Sequence, residues 1–485
     1  MNPLAAPSRG GPSGRQTLDF QIVGLCLVAA GIFAAYPFDY LCVVIPAILP
    51  LYAWVRAGTP GIPTLPIVAG LFVIYYAAPV LRGDLQTDDA DRILSAAISV
   101  ASFLLSATLV YQLFLTAAAR RVSRDDRRLS PKLMVELTFL GLGGGIVFYL
   151  VLFAGWLDWI ADYIGVIRAA GLTFASIGCY LAGAARADGV LRGGPWVLAV
   201  LCVAALALLA IGGLLLVGGA VSVLAAILGY VVAARRIPWL TLALTFAVIN
   251  VLQAGKAEIR DTYWDPDRQA SVSEIPAIML GWFEDGARAL WSGTEQIDVL
   301  ERASLLWTVI RVQEATPDYV PYLRGESYAL LPAIILPRFI EPNKIKSQAG
   351  LNMLAVRYGF QTQEGTDRTT IGFGLIAEAY ANFGSGGVLA VGVLFGALCG
   401  AITWFSTGIA LVSLRMFMAI AATTVLLNVE ADLSYLVVTI LQALGGVLLA
   451  AIVSVVITAV AQSRPGLPTS GEVRQGVTAR GRVRP

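Results

Sequence analysis

The residues that could do chemistry concentrate between Arg324 and Gly387. Basic side chains occur at Arg324, Arg338, Lys344, Lys346, Arg357 and Arg368, beside carboxylates at Glu326, Glu364, Asp367 and Glu378. Guanidinium groups suit phosphate oxygens because they donate hydrogen bonds in pairs and keep their charge at any working pH. The stretch therefore predicts binding of a phosphate-bearing ligand, such as a lipid-linked diphosphate. The alternative is that these cations are solvated or pair with neighbouring carboxylates.

Glu378 is set apart by its surroundings, because the segment AEAYANFG is otherwise apolar enough to enter or lie against a membrane. Desolvation disfavours a charged carboxylate unless a cation lies beside it, and general acids and bases arise in this way. Structural pairing with an arginine is the alternative. The chain has no histidine, so any proton transfer would use Glu, Asp, Tyr or Lys.

The sequence predicts no cofactor and no metal site. The five cysteines all lie in apolar segments, which argues against disulfides and thiolate ligands. The acidic run DDAD at 88–91 is interpreted as a solvated external turn in preference to a cation site.

The composition places these residues in a membrane protein. The chain is 57% hydrophobic and 14% charged, and its apolar runs repeatedly exceed the roughly 18 to 20 residues that cross a bilayer. We predict an all-α polytopic fold of about twelve spans. They lie near 20–36, 40–57, 64–81, 93–119, 133–157, 164–185, 195–216, 219–234, 237–254, 387–410, 416–429 and 435–461. The net charge of +2 gives no basic patch for nucleic acid.

The basic residues also predict an orientation. Most Lys and Arg of the short connections fall on the side of the N-terminus, whereas the other side holds only Arg82 and Arg92, with one long loop excluded from the comparison. Both termini are therefore predicted to be cytoplasmic. The domains are a tail at 1–19, nine spans at 20–254, a periplasmic or external loop at 255–386, three spans at 387–461 and a basic tail at 462–485.

Two charged residues lie inside predicted spans, where charge is costly and faces a cavity or a partner. Arg168 is close to the outer surface, so its side chain either extends outward or reaches the same site as the loop cations. Glu136 is interpreted as an end residue.

Glycines and tryptophans add two structural predictions. GLGGG at 141–145 and Gly392, Gly396 and Gly400 predict close helix packing. In the loop, residues 299–312 have helical spacing, which predicts a helix on the outer leaflet or capping the bundle. Its tryptophans, Trp282, Trp291 and Trp307, either anchor at the interface or stack on sugars.

The same loop resembles a known family. RGESY, ILPRFIEPNK, LNMLAVRYGF, DRTTIGFG and AEAYANFGSGGV, followed by a glycine-rich span, resemble the Wzy-type oligosaccharide repeat-unit polymerases of O-antigen and exopolysaccharide synthesis. The likeness covers about 302–400; the rest is similar only as a many-spanning protein. It implies a GT-C-like, metal-independent glycosyltransferase of the bacterial inner membrane. Such an enzyme moves a polymer from undecaprenyl diphosphate onto a new lipid-linked repeat unit, with a flippase and a chain-length regulator as possible partners.

The resemblance implies roles for individual residues. Arg324 and Arg338 match arginines near the donor diphosphate, with Lys344, Arg357 and Arg168 as further candidates. Glu378 or Glu326 would accept the proton of the acceptor hydroxyl. The substrate-binding candidates in these motifs are Tyr328, Asn352, Tyr380 and Asn382, with Gly384 at the end of the loop.

Two other functions stay open. A transporter or flippase for lipid-linked sugars would place its charges within several spans, whereas here they concentrate in one loop. An O-antigen ligase would transfer finished glycan once; related ligases use a periplasmic histidine, which this chain lacks.

Overall fold

The fold is helical throughout the part of the chain that the structure describes. The computed structural model describes residues 14–83, 85, 87, 89–121, 130–157, 164–211, 216–255, 259, 274–292, 304–336, 341, 344–367 and 370–463, and no strand occurs among them. The α-helices are Gly14–Ala30, Pro37–Arg56, Thr64–Phe72, Ala78–Arg82, Ala90–Ala119, Pro131–Phe153, Ile164–Ala187, Gly194–Ile211, Leu216–Ala234, Trp239–Ala254, Ile275–Ser292, Leu305–Ala315, Glu326–Ala329, Leu331–Ile335, Ala349–Arg357, Leu375–Phe405, Leu414–Leu426 and Leu433–Ser463. A π-helical segment, Val73–Ala77, joins the third and fourth helices.

Seven helices in these ranges are long and apolar enough to cross a membrane. They are Pro37–Arg56, Thr64–Leu81, Ala90–Ala119, Pro131–Phe153, Gly194–Ile211, Leu375–Phe405 and Leu433–Ile452. The membrane-helix prediction is confirmed in this coarser form. Each of the twelve predicted spans overlaps a helix, but several apolar helices, such as Leu414–Leu426, are shorter than a full crossing. The count of twelve therefore stays a prediction.

Glycines set the closest helix contacts, as their spacing predicts. A Cβ added at Gly396 would lie 2.2 Å from the carbonyl oxygen of Ala107, and one at Gly392 would lie 2.1 Å from Ser106 Oγ. Only glycine therefore lets Leu375–Phe405 approach Ala90–Ala119 this closely. Gly141 packs in the same way on the backbone of Gly178.

Helix Leu375–Phe405 differs from its predicted span. It begins twelve residues before position 387, inside the predicted external loop, and its first eight residues include the polar side chains Glu378 and Asn382. The hydropathy pattern left the start of this helix out of the predicted span because it carries Glu378 and Asn382. Phe383 (φ −142°, ψ 17°) and Gly384 (φ 62°, ψ −152°) interrupt the helix. We call this element the broken helix.

At the far end of the broken helix, arginines from other connections cover its last carbonyls. Arg121 donates to the carbonyl of Trp404 at 2.9 Å, and Arg415 donates to that of Phe405 at 2.7 Å. Both arginines belong to connections predicted on the cytoplasmic side, so they meet at one end of the bundle. Which side of a membrane this end faces stays a prediction.

The loop helices pack onto the bundle. Leu305–Ala315 overlaps the helix predicted at 299–312, of which residues 299–303 lie outside the described ones. It buries Leu306, Val309 and Ile310 against helices Ala90–Ala119 and Leu375–Phe405. That it caps the outer end of the bundle stays a prediction. The other tryptophans differ in exposure. Trp282 is fully buried and donates to the carbonyl of Leu252, whereas Trp291 is 95% exposed. The predictions of interfacial anchoring and sugar stacking are untested for Trp291.

Candidate functional site

The candidate site is built around a short turn, Leu323–Glu326, which we call the Arg324 turn. Arg324 has φ 50° and Gly325 has φ 94°, so two successive residues take the left-handed conformation. Three backbone N–H groups are held by the broken helix: Leu323 donates to the carbonyl of Ala381 (3.0 Å), Arg324 to the carbonyl of Asn382 (3.1 Å) and Gly325 to Asn382 Oδ1 (2.9 Å). The left-handed conformation costs a residue other than glycine about 1–2 kcal/mol. These bonds offset that cost and fix the turn.

Beneath the turn lies a cluster of buried polar groups. The Glu378 side chain is fully buried and accepts hydrogen bonds from Ser327 Oγ and from the N–H of Leu433, both at 2.8 Å. Asn382 Nδ2 donates to Ser327 Oγ at 2.8 Å and to the carbonyl of Glu378 at 2.9 Å. The cluster therefore ties the Arg324 turn, the broken helix and the last long helix together. We call Ser327, Glu378 and Asn382 the polar clamp.

A second buried carboxylate, Asp432, adjoins the clamp. It precedes helix Leu433–Ser463, and its Oδ1 accepts from the N–H of Tyr435 at 2.9 Å. Its Oδ2 has no hydrogen-bond partner and lies against Gly350, where an added Cβ would be 2.1 Å away. Burial raises the pKa of Asp432 from 3.8 to about 6, and its backbone hydrogen bonds only partly oppose this.

The Arg324 residue is exposed. Among the described residues, no carboxylate forms an ion pair with it. Aromatic side chains flank the turn: a Cβ at Gly325 would lie 3.4 Å from the ring of Phe383, which is 51% exposed. Tyr322 packs against Tyr380, with ring centroids 6.5 Å apart. The backbone that carries this cation is thus held in place beside aromatic side chains.

The break in the helix gives this arrangement its shape. Gly384 has a backbone conformation open to glycine, and a Cβ there would lie 3.0 Å from Tyr322 Oη. The break lies next to Ala381 and Asn382, whose carbonyls accept hydrogen bonds from the Arg324 turn.

Two other predicted cations form ion pairs in the described part of the chain. Glu326 and Arg357 form a two-bond ion pair at 2.5 and 2.9 Å, and these hydrogen bonds lower the pKa of Glu326. Lys346 lies 3.5 Å from Asp367, with both side chains exposed. The pairing alternative therefore describes Arg357 and Lys346. Arg324 is exposed, which both the solvated alternative and phosphate binding allow, so its role stays a prediction.

Several predicted residues lie near the clamp and others outside the described residues. Tyr328 packs on Phe383, with ring centroids 6.2 Å apart, and Tyr380 on Tyr322; Asn352 and Lys344 are half-buried in the following segment. Arg338 and Arg368 lie outside the described residues. Arg168 is in helix Ile164–Ala187, but its side chain is not among those described, and its role stays a prediction. Glu136 forms an exposed pair with Lys132 at 3.8 Å.

Sequence reasoning missed Ser327 and Asp432. Serine is too common to attract notice. The turn NVEAD at 428–432, however, places two carboxylates between apolar helices, and this charge at a short connection was an available signal. It lies about fifty residues from Glu378, so only the tertiary fold brings the two carboxylates together.

The described residues offer little to a metal ion. In the ranges given above, no three His, Cys, Asp or Glu side chains converge as ligands. Asp89 of the DDAD run accepts from the N–H groups of Asp91 (3.1 Å) and Arg92 (3.4 Å), so it caps helix Ala90–Ala119.

In comparisons with known proteins, no family model, no curated protein and no solved structure matches the chain.

Proposed function

We propose that this chain is a membrane glycosyltransferase that polymerises undecaprenyl-diphosphate-linked repeat units, with Arg324 binding the donor diphosphate. The observation that supports it is an exposed arginine, without an ion pair among the described residues, whose backbone is fixed by three hydrogen bonds. A cation on a fixed backbone is suited to charge that develops on a leaving group, because less rearrangement is needed as the bond breaks. Under this proposal the site faces the periplasm and both termini are cytoplasmic.

The reaction mainly requires that the protein position donor and acceptor and stabilise the charge on the leaving group. The bond between the sugar C1 and the diphosphate oxygen breaks, its electron pair stays on the diphosphate, and the acceptor oxygen bonds to C1. Arg324 would stabilise the departing charge, an effect of a few kcal/mol per donor. The acceptor hydroxyl loses its proton to a base.

Two carboxylates were candidates for that base, and their environments favour different roles. Glu378 is fully buried and its hydrogen bonds are directed to Ser327 and Leu433. We therefore assign Glu378 to positioning the turn. Glu326 is about half exposed and lies two residues from Arg324. Its ion pair with Arg357 lowers its pKa, which keeps it ionised but makes it a weaker base. We assign Glu326 to proton acceptance because it is the carboxylate of the two that an acceptor can reach.

The proposal is tested with purified full-length protein and lipid-linked repeat units. We expect longer lipid-linked glycans and release of undecaprenyl diphosphate. Arg324→Ala should reduce turnover by at least about a hundredfold, whereas Arg288→Ala, which removes an exposed arginine paired with Asp285, should not. Equal turnover in the two variants would remove Arg324 from the mechanism.

A transporter of lipid-linked sugar is the second candidate. The broken helix and its buried carboxylate favour it, because discontinuous helices with such groups form the binding sites of many transporters. Reconstituted vesicles distinguish the two: movement of the lipid-linked unit across the membrane without new glycosidic bonds supports transport.

A further inference from the structure

A groove opens beside the Glu326–Arg357 pair. Its volume is about 510 Å³, within the range of about 300–1,000 Å³ typical of ligand sites. One wall is helix Ala349–Arg357, which presents Asn352, Met353 and Val356 at helical spacing. The other is the 3₁₀ turn Glu364–Asp367. The opposite face of the helix, with Leu351 and Leu354, is buried. This packing holds the helix in place as one wall of the groove.

The charges of the groove are balanced. Lys346 pairs with Asp367 across it, and Arg357 pairs with Glu326 at its end. Each cation therefore already has a carboxylate. This lining favours an uncharged ligand over a second phosphate group, which would need unpaired donors.

The groove also contains an unmet hydrogen-bond acceptor. Asn352 lines the groove, and its Oδ1, which protein atoms cover in the present side-chain orientation, has no hydrogen-bond partner among the described residues. An acceptor without a donor is costly, and rotation of the amide would bring it to the groove, where a ligand that carries O–H or N–H groups would satisfy it. Met353 and Val356 beside it offer apolar surface. A sugar ring has both parts, hydroxyl groups at its edge and an apolar C–H face.

The geometry points to this groove as the binding site of the acceptor saccharide, an uncharged sugar whose hydroxyl or amide donates to Asn352 Oδ1. The inference rests on the proposed function, since it names the second substrate of the same site. The Glu326–Arg357 pair joins the two parts: the saccharide lies on the Arg357 side, and the donor diphosphate lies on the Arg324 side. The acceptor hydroxyl thereby reaches Glu326, which receives its proton.

The test measures saccharide binding directly. The probe is the phosphate-free repeat-unit oligosaccharide, released by mild acid from the lipid-linked units of the producing cells, and the protein is the full chain in detergent. Asn352→Leu should weaken binding at least tenfold. Gln348→Leu, one turn earlier on the same side of the chain but outside the groove lining, should change it less than twofold. The melting temperatures of both variants check that they are folded.

The outcomes separate this inference from the proposed function. If Asn352→Leu and Gln348→Leu bind the saccharide equally, the groove is not its binding site. If inorganic diphosphate binds to the parent protein and Asn352→Leu abolishes that binding, the groove is a phosphate site and the inference is wrong. In the polymerisation assay, the inference predicts a raised KM for the acceptor with kcat within about threefold of the parent. If the protein forms no polymer but binds the saccharide through Asn352, the groove stands and the polymerase proposal fails.

Discussion

Replacing Asn382 by alanine tests the polar clamp most severely. The change removes the side-chain hydrogen bonds to Gly325 N, Ser327 Oγ and the Glu378 carbonyl. A hydrogen bond contributes about 0.5–1.5 kcal/mol net, and a buried group left without its partner costs about 1–3 kcal/mol. Ser327 keeps its bond to Glu378, whereas the Gly325 N–H loses its acceptor. We therefore expect the free energy of unfolding to fall by about 2–4 kcal/mol.

Asn382→Ala should also lower turnover, because it alters the position of Arg324. Without the Asn382 side chain, the left-handed turn is held only by backbone bonds, and relaxation would gain about 1–2 kcal/mol. The guanidinium would then leave its position beside the diphosphate. We expect turnover to fall about tenfold or more, because 1.4 kcal/mol of lost transition-state stabilisation corresponds to a factor of ten.

The assay is denaturant unfolding of the purified protein in mixed micelles, followed by turnover of the folded fraction. Asn428→Ala is the matched control, since Asn428 is half-buried in the nearby 428–432 turn but outside the clamp. A surface or peripheral substitution of this kind changes stability by about 0.5 kcal/mol or less. If Asn382→Ala unfolds within that margin of Asn428→Ala, the clamp does not hold the turn and the reasoning fails.

Three further predictions follow from the backbone and from Asp432. Gly384→Ala should destabilise by about 2–3 kcal/mol, because its φ of 62° and the nearby ring oppose a Cβ, whereas Gly386→Ala, with open space around it, should be neutral in the same unfolding assay. Arg324→Gly should be more stable than Arg324→Ala by about 1 kcal/mol and equally inactive. Asp432→Asn should reduce the loss of thermal stability that the parent shows as the pH rises from about 4 to about 6.

The sign for Asp432 follows from its raised pKa. The folded protein binds the proton more tightly than the unfolded chain, so the stabilisation is complete below pH 3.8 and is lost as the pH rises through about 6. Asp367→Asn, at an exposed aspartate, serves as the control and should follow the parent. A parent protein whose melting temperature is flat over this range would contradict the assignment. Equal stabilities of Gly384→Ala and Gly386→Ala, or of Arg324→Gly and Arg324→Ala, would contradict the predictions for those positions.

Hydropathy predicted most of the helices because apolar length alone decides them. It failed at Leu375, where the buried turn carries Glu378 and Asn382, and at Phe383–Gly384, where a glycine conformation breaks an apolar segment. Long-range hydrogen bonds satisfy those polar groups, and a sequence does not display such partners.

The candidate site was predictable in part for similar reasons. Arg324 and Glu378 were singled out by residue type and surroundings, and Asn382 by the resemblance. The structure brings Glu378 and Asn382 together with the backbone of Arg324. The neighbouring cations could not be told apart from sequence: whether an arginine is available depends on a partner such as Glu326, which lies thirty-one residues from Arg357. Asp432 was missed because its contact with this region is tertiary.

The central claim is that Arg324, fixed by the broken helix, binds a lipid diphosphate. Its most direct test is the equilibrium binding of farnesyl diphosphate, a short prenyl diphosphate, to the full chain in detergent, with Arg324→Ala compared with Arg288→Ala. The account predicts that Arg324→Ala weakens binding at least tenfold and that Arg288→Ala leaves it unchanged. Equal affinity in Arg324→Ala and the parent protein would contradict it.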